Sequence, residues 1–331
     1  MSIQPSDLRV FRAVTNNDTA ANGGEISTVE SVSGVSGNLF PRVSLSERNS
    51  GITRLRKAFH RVNNADSRTF YDSHLFMFKH TPAVDSVTFF LGTTTDTQGD
   101  VTPAVEDHYG AATLVNGVSA GATELEVTPE QDEYDVFRNG ERIYITNKAT
   151  YEGSGDEEYA YVTNVADGGG GSKILTVSSP LLNSYVTSTC RIASVMDSGD
   201  VETAASFVSD GVAGSGALNT ELVSVRQRGS LYDEVTFTFT SATNFTCSGV
   251  KAGAMGTGST GTTFAPVNPA TSSAFFSIPS GAWSGTFENG DTITIRTTPA
   301  MLPIFYVQQV PVLSPAFSGN SFTMVFAGET E

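Results

Sequence analysis

Short runs in which hydrophobic and polar residues alternate occupy most of the chain, and this is the pattern of half-buried β-strands. The clearest runs lie at residues 157–165, 173–178 and 235–240. Turn-forming Gly, Asn and Ser residues separate such runs at intervals of about 8–12 residues, as in sandwiches and barrels. The pattern therefore predicts an all-β fold.

Two nine-residue segments, FRNGERIYI at 137–145 and FENGDTITI at 287–295, share one pattern. Each has an aromatic residue, then Asn-Gly, which suits the tight turn of a β-hairpin. The alternation that follows puts Ile143 and Ile145, and likewise Ile293 and Ile295, on one buried face. We expect two similar hairpins in two different parts of the chain.

The length of 331 residues exceeds what one small β-sandwich needs. We predict a discontinuous outer β-sandwich or barrel domain, residues 41–108 plus 200–331, with an inserted smaller β-sandwich or barrel at 109–199. The inserted domain is strongly acidic, and residues 168–171 form a glycine hairpin loop within it. Residues 1–40 are predicted to be an extended N-terminal arm with a short strand, either disordered or ordered by lying on a neighbour.

The charge reverses between residues 42 and 79, where basic residues outnumber acidic ones. Within it, Leu55, Ala58, Phe59 and Val62 would line one face of a helix, but the same residues also fit a strand. The basic side chains could pair with the acidic domain, meet an acidic patch on a neighbouring subunit, or contact nucleic acid. The candidates for subunit contact are Arg54, Arg56, Lys57, Arg61 and Arg68.

Composition and charge limit the kinds of molecule that this protein is expected to bind. A net charge of −16 repels phosphates, so we expect no recognition of nucleic acid sequence. The N-terminal residues lack the apolar core of a signal peptide, and no apolar run approaches the roughly 18 residues of a membrane span. Cys190 and Cys247 are predicted to be buried free thiols, because two cysteines make no disulfide framework.

Candidate chemistry is sparse. Residues 256–261 match the GxGxxG pattern of dinucleotide binding, but the Pro-containing sequence after them cannot start the required helix, so we interpret them as a flexible loop. Acidic runs at 132–135 and 153–158 lack the ligand spacing of a calcium loop and are interpreted as solvated surface. The four histidines, at positions 60, 74, 80 and 108, have no zinc-ligand spacing. We therefore predict no catalytic residue, no cofactor, no metal and no enzyme activity, although paired carboxylates of a glycosidase would meet only in three dimensions.

Several stretches resemble virion structural proteins of tailed bacteriophages, with the Mu-like siphophage group as the best match. They are RLRKAFHRVNN at 54–64, FLGTTTDTQGD at 90–100 and RTTPAMLPIF at 296–305. Residues 120–127 and 139–145 are similar to β modules of phage particles. The resemblance implies a particle component that forms rings or tubes, and it favours a strand over a helix at 54–62.

From this resemblance we expect a structural component of a phage tail, as a tube, baseplate or tail-tip subunit. It would work in the virion after assembly in the host cytoplasm. Its partners would be copies of itself, in a ring or a trimeric or hexameric assembly, and other virion proteins. The alternatives are a head decoration or neck protein, and a receptor-binding module that uses the acidic domain.

Overall fold

The structure is a computed structural model that describes residues 2–131 and 133–330. Strands make up 48% of the chain and helices 5%. The predicted all-β class is therefore confirmed. Within these described residues, four short 3-10 helices interrupt the connections, at Pro5–Asp7, Pro103–Val105, Thr220–Leu222 and Ser280–Ala282. No helix within the described ranges is long and apolar enough to cross a membrane.

The first part of the chain supplies five strands and the single α-helix of the described residues. Their bounds are β1 (Leu8–Thr15), β2 (Gly23–Glu30), α1 (Leu45–Ser50), β3 (Ile52–Val62), β4 (Phe70–Lys79) and β5 (Ser86–Leu91). Helix α1 starts with a capping box, in which Ser44 and Glu47 satisfy each other's backbone N–H groups. Gly51, with a φ of 73°, ends it.

Strand β3 settles the helix-or-strand ambiguity in favour of a strand. Its apolar side chains point to both faces: Ala58 and Val62 enter one core, and Leu55 and Phe59 enter two others. A strand that is buried on both faces has no simple alternation. Its apolar residues can therefore match helical spacing by coincidence.

The middle of the chain forms a closed six-stranded barrel. Its strands are β6 (Ala111–Leu114), β7 (Glu124–Pro129), β8 (Arg142–Thr146), β9 (Glu157–Gly169), β10 (Ser172–Val177) and β11 (Arg191–Val201). They pair in the order β6-β7-β10-β9-β8-β11, and β11 returns to β6. Leu125, Ile143, Ile145, Leu175 and Ile192 fill the interior. The second half of β11 leaves the barrel and pairs with β4, so one strand belongs to two units.

Residues 204–298 form a separate unit, which we call the third unit. Its strands are β12 (Ala204–Gly211), β13 (Ala217–Leu218), β14 (Ser224–Val225), β15 (Asp233–Phe239), β16 (Asn244–Gly249), β17 (Gly253–Ser259), β18 (Val267–Asn268), β19 (Ser273–Ala274), β20 (Phe276–Ser277), β21 (Trp283–Ser284) and β22 (Thr292–Thr298). The main sheet has the order β12-β22-β15-β16-β17. Phe237, Phe245, Phe276 and Trp283 dominate its core.

The last two strands, β23 (Met301–Val310) and β24 (Thr323–Glu329), return to the beginning of the chain. β23 inserts between β3 and β5, and β24 pairs with β4. Sheet β2-β1-β3-β23-β5 thereby packs on β24-β4-β11 as a sandwich. Strand pairing thus joins segments before residue 92 to segments after residue 300, whereas residues 204–298 have their own sheet. Within residues 1–40 two strands, not one, lie in this sandwich.

The two nine-residue segments contain the expected turns and buried isoleucines, but the hairpin interpretation is wrong. Gly140 and Gly290 have φ angles of 89° and 97°. Asn139 and Asn289 do not have positive φ, so the turns have the type II pattern rather than the doubly left-handed turn of a hairpin. The residues before each turn do not pair with the strand after it. β8 pairs with β9 and β11, and β22 pairs with β12 and β15.

Candidate assembly site

The basic strand predicted to contact a neighbouring subunit lies inside the protein. The guanidinium of Arg56 is 2.6 Å from Asp18 Oδ1 and donates to the Asn17 carbonyl oxygen at 2.8 Å. Arg54 pairs with Glu47 and has its Nε 3.7 Å from Asp18 Oδ1. Both arginine side chains are almost fully buried. The carboxylates that compensate their charges belong to Asp18 and Glu47, which lie outside the acidic domain.

Lys57 is also buried, on the opposite face of β3. Its Nζ pairs with the Asp96 carboxylate and donates to the Asp96 carbonyl oxygen at 2.7 Å. Burial lowers the pKa of Lys57, and the bond to Asp96 opposes that effect. The ammonium lies 5.2 Å and 5.4 Å from the ring centres of Phe59 and Phe305. Lys57 therefore fastens the 93–100 loop to the outer face of the sandwich.

Arg61 joins the sandwich to the third unit. Its Nη2 donates to the carbonyl oxygens of Gln227 and Ser230, at 2.5 Å and 2.9 Å. The guanidinium also lies 5.7 Å from the ring centre of Phe11. Burial lowers the pKa of Arg61 to about 10, so the group remains charged at neutral pH. A cation bound to two carbonyl oxygens at the boundary holds the two units in a fixed orientation.

Gln227, which is fully buried, completes this joint. Its Oε1 accepts from the Asn64 N–H at 3.2 Å, and its Nε2 donates to the Arg68 carbonyl oxygen. Its own N–H donates to Ser67 Oγ at 3.1 Å. The turn at 63–69 and the loop at 226–230 are therefore locked together by bonds to both the backbone and the side chain of one residue.

Arg68 is the one exposed member of the five predicted contact residues. It lines an open polar cleft of about 650 Å³ together with Thr69, Tyr71 and Arg226. Four of the five residues are thus brought together within one strand and used inside the chain. Subunit contact stays a prediction, and among these five the exposure of Arg68 makes it the accessible one.

A second cleft, of about 450 Å³, lies where β2 approaches the third unit. Lys251 Nζ is 2.5 Å from Glu25 Oε2 across this boundary. The Lys251 ammonium lies 5.0 Å from the Tyr232 ring centre, and Arg296 pairs with Glu234 at 2.5 Å. Asp233 also lines this cleft and accepts from the N–H groups of Lys251 and Ala252. The Lys251–Glu25 pair is the contact that crosses the boundary, and it is a second attachment of the third unit to the sandwich.

The four histidines have separate structural roles. His60 contacts the Tyr306 hydroxyl at 2.5 Å, and burial lowers the pKa of His60 to about 4. His108 bridges Thr88 Oγ1 and the Pro103 carbonyl oxygen. His80 pairs with Glu130, and His74 contacts Tyr159. No three His, Cys, Asp or Glu side chains gather as metal ligands anywhere in the described ranges.

The cysteines are free and buried, as predicted, and burial raises the pKa of both thiols to about 12. The flexible-loop interpretation of residues 256–261 is wrong for the first part of that segment, since Gly253–Ser259 is β17, an edge strand paired with β16. The glycines allow a bulged strand to pass close to the Phe245 and Phe264 rings, which a Cβ at position 258 would meet at 2.5–2.7 Å.

The acidic runs also have structural partners. Glu157 pairs with Lys148 at 2.7 Å and accepts from the Tyr144 hydroxyl at 2.5 Å. Glu158 is buried and accepts from the N–H groups of Leu182 and Asn183. Asp132, which belongs to the other acidic run, lies outside the described residues.

The joint at Arg61 could not be predicted from the sequence. Its carbonyl acceptors are more than 160 positions away in the chain, and carbonyl groups leave no signal in a sequence. The sequence does contain one sign of buried charge, because its basic residues at 54–61 are interspersed with apolar residues such as Ala58 and Phe59.

A scan against models of known protein families finds no match for this chain, and no curated protein shows significant similarity to it.

Proposed function

We propose that this chain is a non-enzymatic structural subunit of a bacteriophage particle. Within the particle we assign it to the tail, as a tube, baseplate or tail-tip subunit that assembles with copies of itself into a symmetric ring or tube. The sequence resemblance supports the assignment to a virion, and the construction of the molecule supports a mechanical role.

The observation that carries the proposal is the fixed coupling of three β units. The barrel shares β11 with the sandwich, and the third unit is held by Arg61, Gln227 and the Lys251–Glu25 pair. A subunit that sets the geometry of a ring has to keep its contact surfaces in a constant relative orientation. Buried polar joints satisfy that requirement, because every partner must be present for the arrangement to be stable.

The distribution of charge also fits repeated contact between copies. Residues 109–199 contain five Lys or Arg against thirteen Asp or Glu, which is half of the net charge of −16. The other 240 residues carry the remaining −8, so acidic charge is concentrated in the barrel region. An uneven distribution of charge favours contact between unlike surfaces of two copies, and heterologous contacts of this kind close into rings or extend into tubes.

Negative-stain microscopy of the purified full chain, combined with its mass in solution, tests the proposal. A tail-ring or tube subunit forms particles with rotational symmetry and a mass of several subunits. A head decoration protein would instead be a monomer or trimer that binds capsids, and a receptor-binding module would bind host cells. A chain that stays monomeric and binds no virion protein contradicts the proposal.

A further inference from the structure

The connection between β23 and β24 carries several exposed apolar side chains. Val312 is 65% exposed, Leu313 80% and Phe317 53%. Helix α1, to which this connection is bonded, adds the exposed Leu45. We call these four residues the loop surface.

The loop surface is held in place and is not a free tether. Ser314 donates its N–H to the Arg48 carbonyl oxygen of α1 at 3.0 Å. Asn320 accepts from the Ala83 N–H at 3.2 Å and donates to Asp85 Oδ1 at 2.7 Å. Bonds to two other segments therefore fix the loop on the sandwich.

Leu313 is in a strained conformation, with a φ of 59°. A leucine in the left-handed region is disfavoured, and glycine or asparagine is the usual residue there. The hydrogen bond of Ser314 explains why the chain turns here but not why the turn carries a leucine, because the Leu313 side chain is 80% exposed. Strain of this kind that the fold does not require points to a functional contact.

Basic residues near the loop surface indicate that its partner is acidic. Arg42 precedes α1, Arg48 lies in it, and Lys79 is paired in register with Thr323 at the end of the loop. Arg42 and Lys79 are exposed, Arg48 is half-buried, and none of the three has an ion-pair partner within the described ranges. In a chain with a net charge of −16, an apolar surface with a basic rim complements an acidic surface.

We propose that the loop surface is the contact between copies of this chain, and that it receives the acidic barrel of the next copy. This inference rests on the proposed self-assembly and names the surface responsible for it. The contact is heterologous, because the loop surface lies on the sandwich and its partner is the barrel. Repetition of such a contact produces a ring or a tube.

Replacement of Leu313 by glycine separates a contact role from a structural one. Leu313→Gly removes the exposed side chain and also relieves the strain, so the melting temperature of the variant stays equal or rises. Assembly, measured by sedimentation velocity over a concentration series, shifts to concentrations at least about tenfold higher. The matched control Val105→Ser changes a residue that is 78% exposed on another part of the surface, and it leaves assembly unchanged.

Charge reversal tests the identity of the partner. Arg42→Glu and Lys79→Glu each weaken assembly more than Arg9→Glu, which makes the same change in net charge on β1, at a partly exposed pair with Glu30. Wild-type assembly also weakens as salt rises, because salt screens attraction between unlike charges. Assembly that strengthens with salt overturns the barrel as the partner.

The outcomes distinguish this inference from the proposed function. If the wild-type chain assembles and Leu313→Gly assembles equally well, the loop surface is not the contact, while the structural role stands. If the wild-type chain is monomeric under all conditions, both the inference and the proposed self-assembly are wrong.

Discussion

The barrel and the third unit each contain one copy of the FxNGxxIxI pattern. The two copies differ in the residues that pack against their outward faces. In both units the glycine N–H donates to a neighbouring strand, from Gly140 to the Val162 carbonyl oxygen and from Gly290 to that of Phe239. In both units the two isoleucines are buried in the core. The local arrangement is therefore the same.

The outward faces are different. Tyr144, between the two isoleucines of the barrel, is buried beneath aromatic residues, with its ring centre 4.5 Å from that of Phe76 in β4. Thr294, the equivalent residue of the third unit, is only half-buried and shares a hydroxyl hydrogen bond of 2.9 Å with Thr236. The local sequence determines the turn and the residues of the inward face. The neighbouring unit determines how much the residue on the outward face contributes to the free energy of unfolding.

The largest expected difference between the two copies is at this outward position. Tyr144→Ala removes a buried ring and should lower the free energy of unfolding by about 3–5 kcal/mol. Thr294→Ala removes one partly exposed hydrogen bond and should lower it by about 1 kcal/mol. Urea denaturation of both variants measures the difference, and equal losses would refute the contrast between the two faces.

The barrel and the third unit should also respond differently when the joint between the sandwich and the third unit is broken. Arg61→Met leaves the carbonyl oxygens of Gln227 and Ser230 without their donor and should cost about 1–3 kcal/mol. Hydrogen exchange should rise in residues 224–231 but not in the barrel, which β11 holds to the sandwich. Arg296→Met, at a pair that is about 40% exposed on both sides, is the control and should cost less than about 1 kcal/mol. Uniform exchange across the chain would argue against a local joint.

A smaller and equal effect is expected at the two turn glycines. Gly140→Ala and Gly290→Ala place a Cβ at positive φ in open space, so each should cost about 1 kcal/mol from backbone strain alone. Gly281→Ala is the matched control, because that glycine also has open space and does not have positive φ. Thermal unfolding of the three variants measures the costs, and unequal losses at 140 and 290 would mean that the turns are not equivalent.

The smallest effect concerns pH. The bond to Glu130 raises the pKa of His80, and this pair links the end of β4 to the barrel. The folded pKa lies above the unfolded value, so the stabilisation is fully present below about pH 6.5 and is lost as pH rises through the folded pKa. Partial exposure keeps it below about 1 kcal/mol. The loss caused by His80→Gln should shrink between pH 6 and pH 8, and a loss that grows with pH would contradict this assignment.

Local chemistry made part of the fold predictable from the sequence. Alternation identified the buried isoleucines, and regular turns indicated a small barrel or sandwich, found as the closed barrel. The alternation could not reveal that β3 is covered on both faces, since its partners Asp18, Asp96 and Gln227 come from distant segments. The burial of Arg54, Arg56, Lys57 and Arg61 was unpredictable for the same reason.

Sedimentation velocity of the full chain over a wide concentration range tests whether the protein assembles with itself through fixed surfaces. We expect a discrete oligomer or polymer that forms with rising concentration and dissociates with rising salt. A single monomeric species at every concentration and salt level would contradict it.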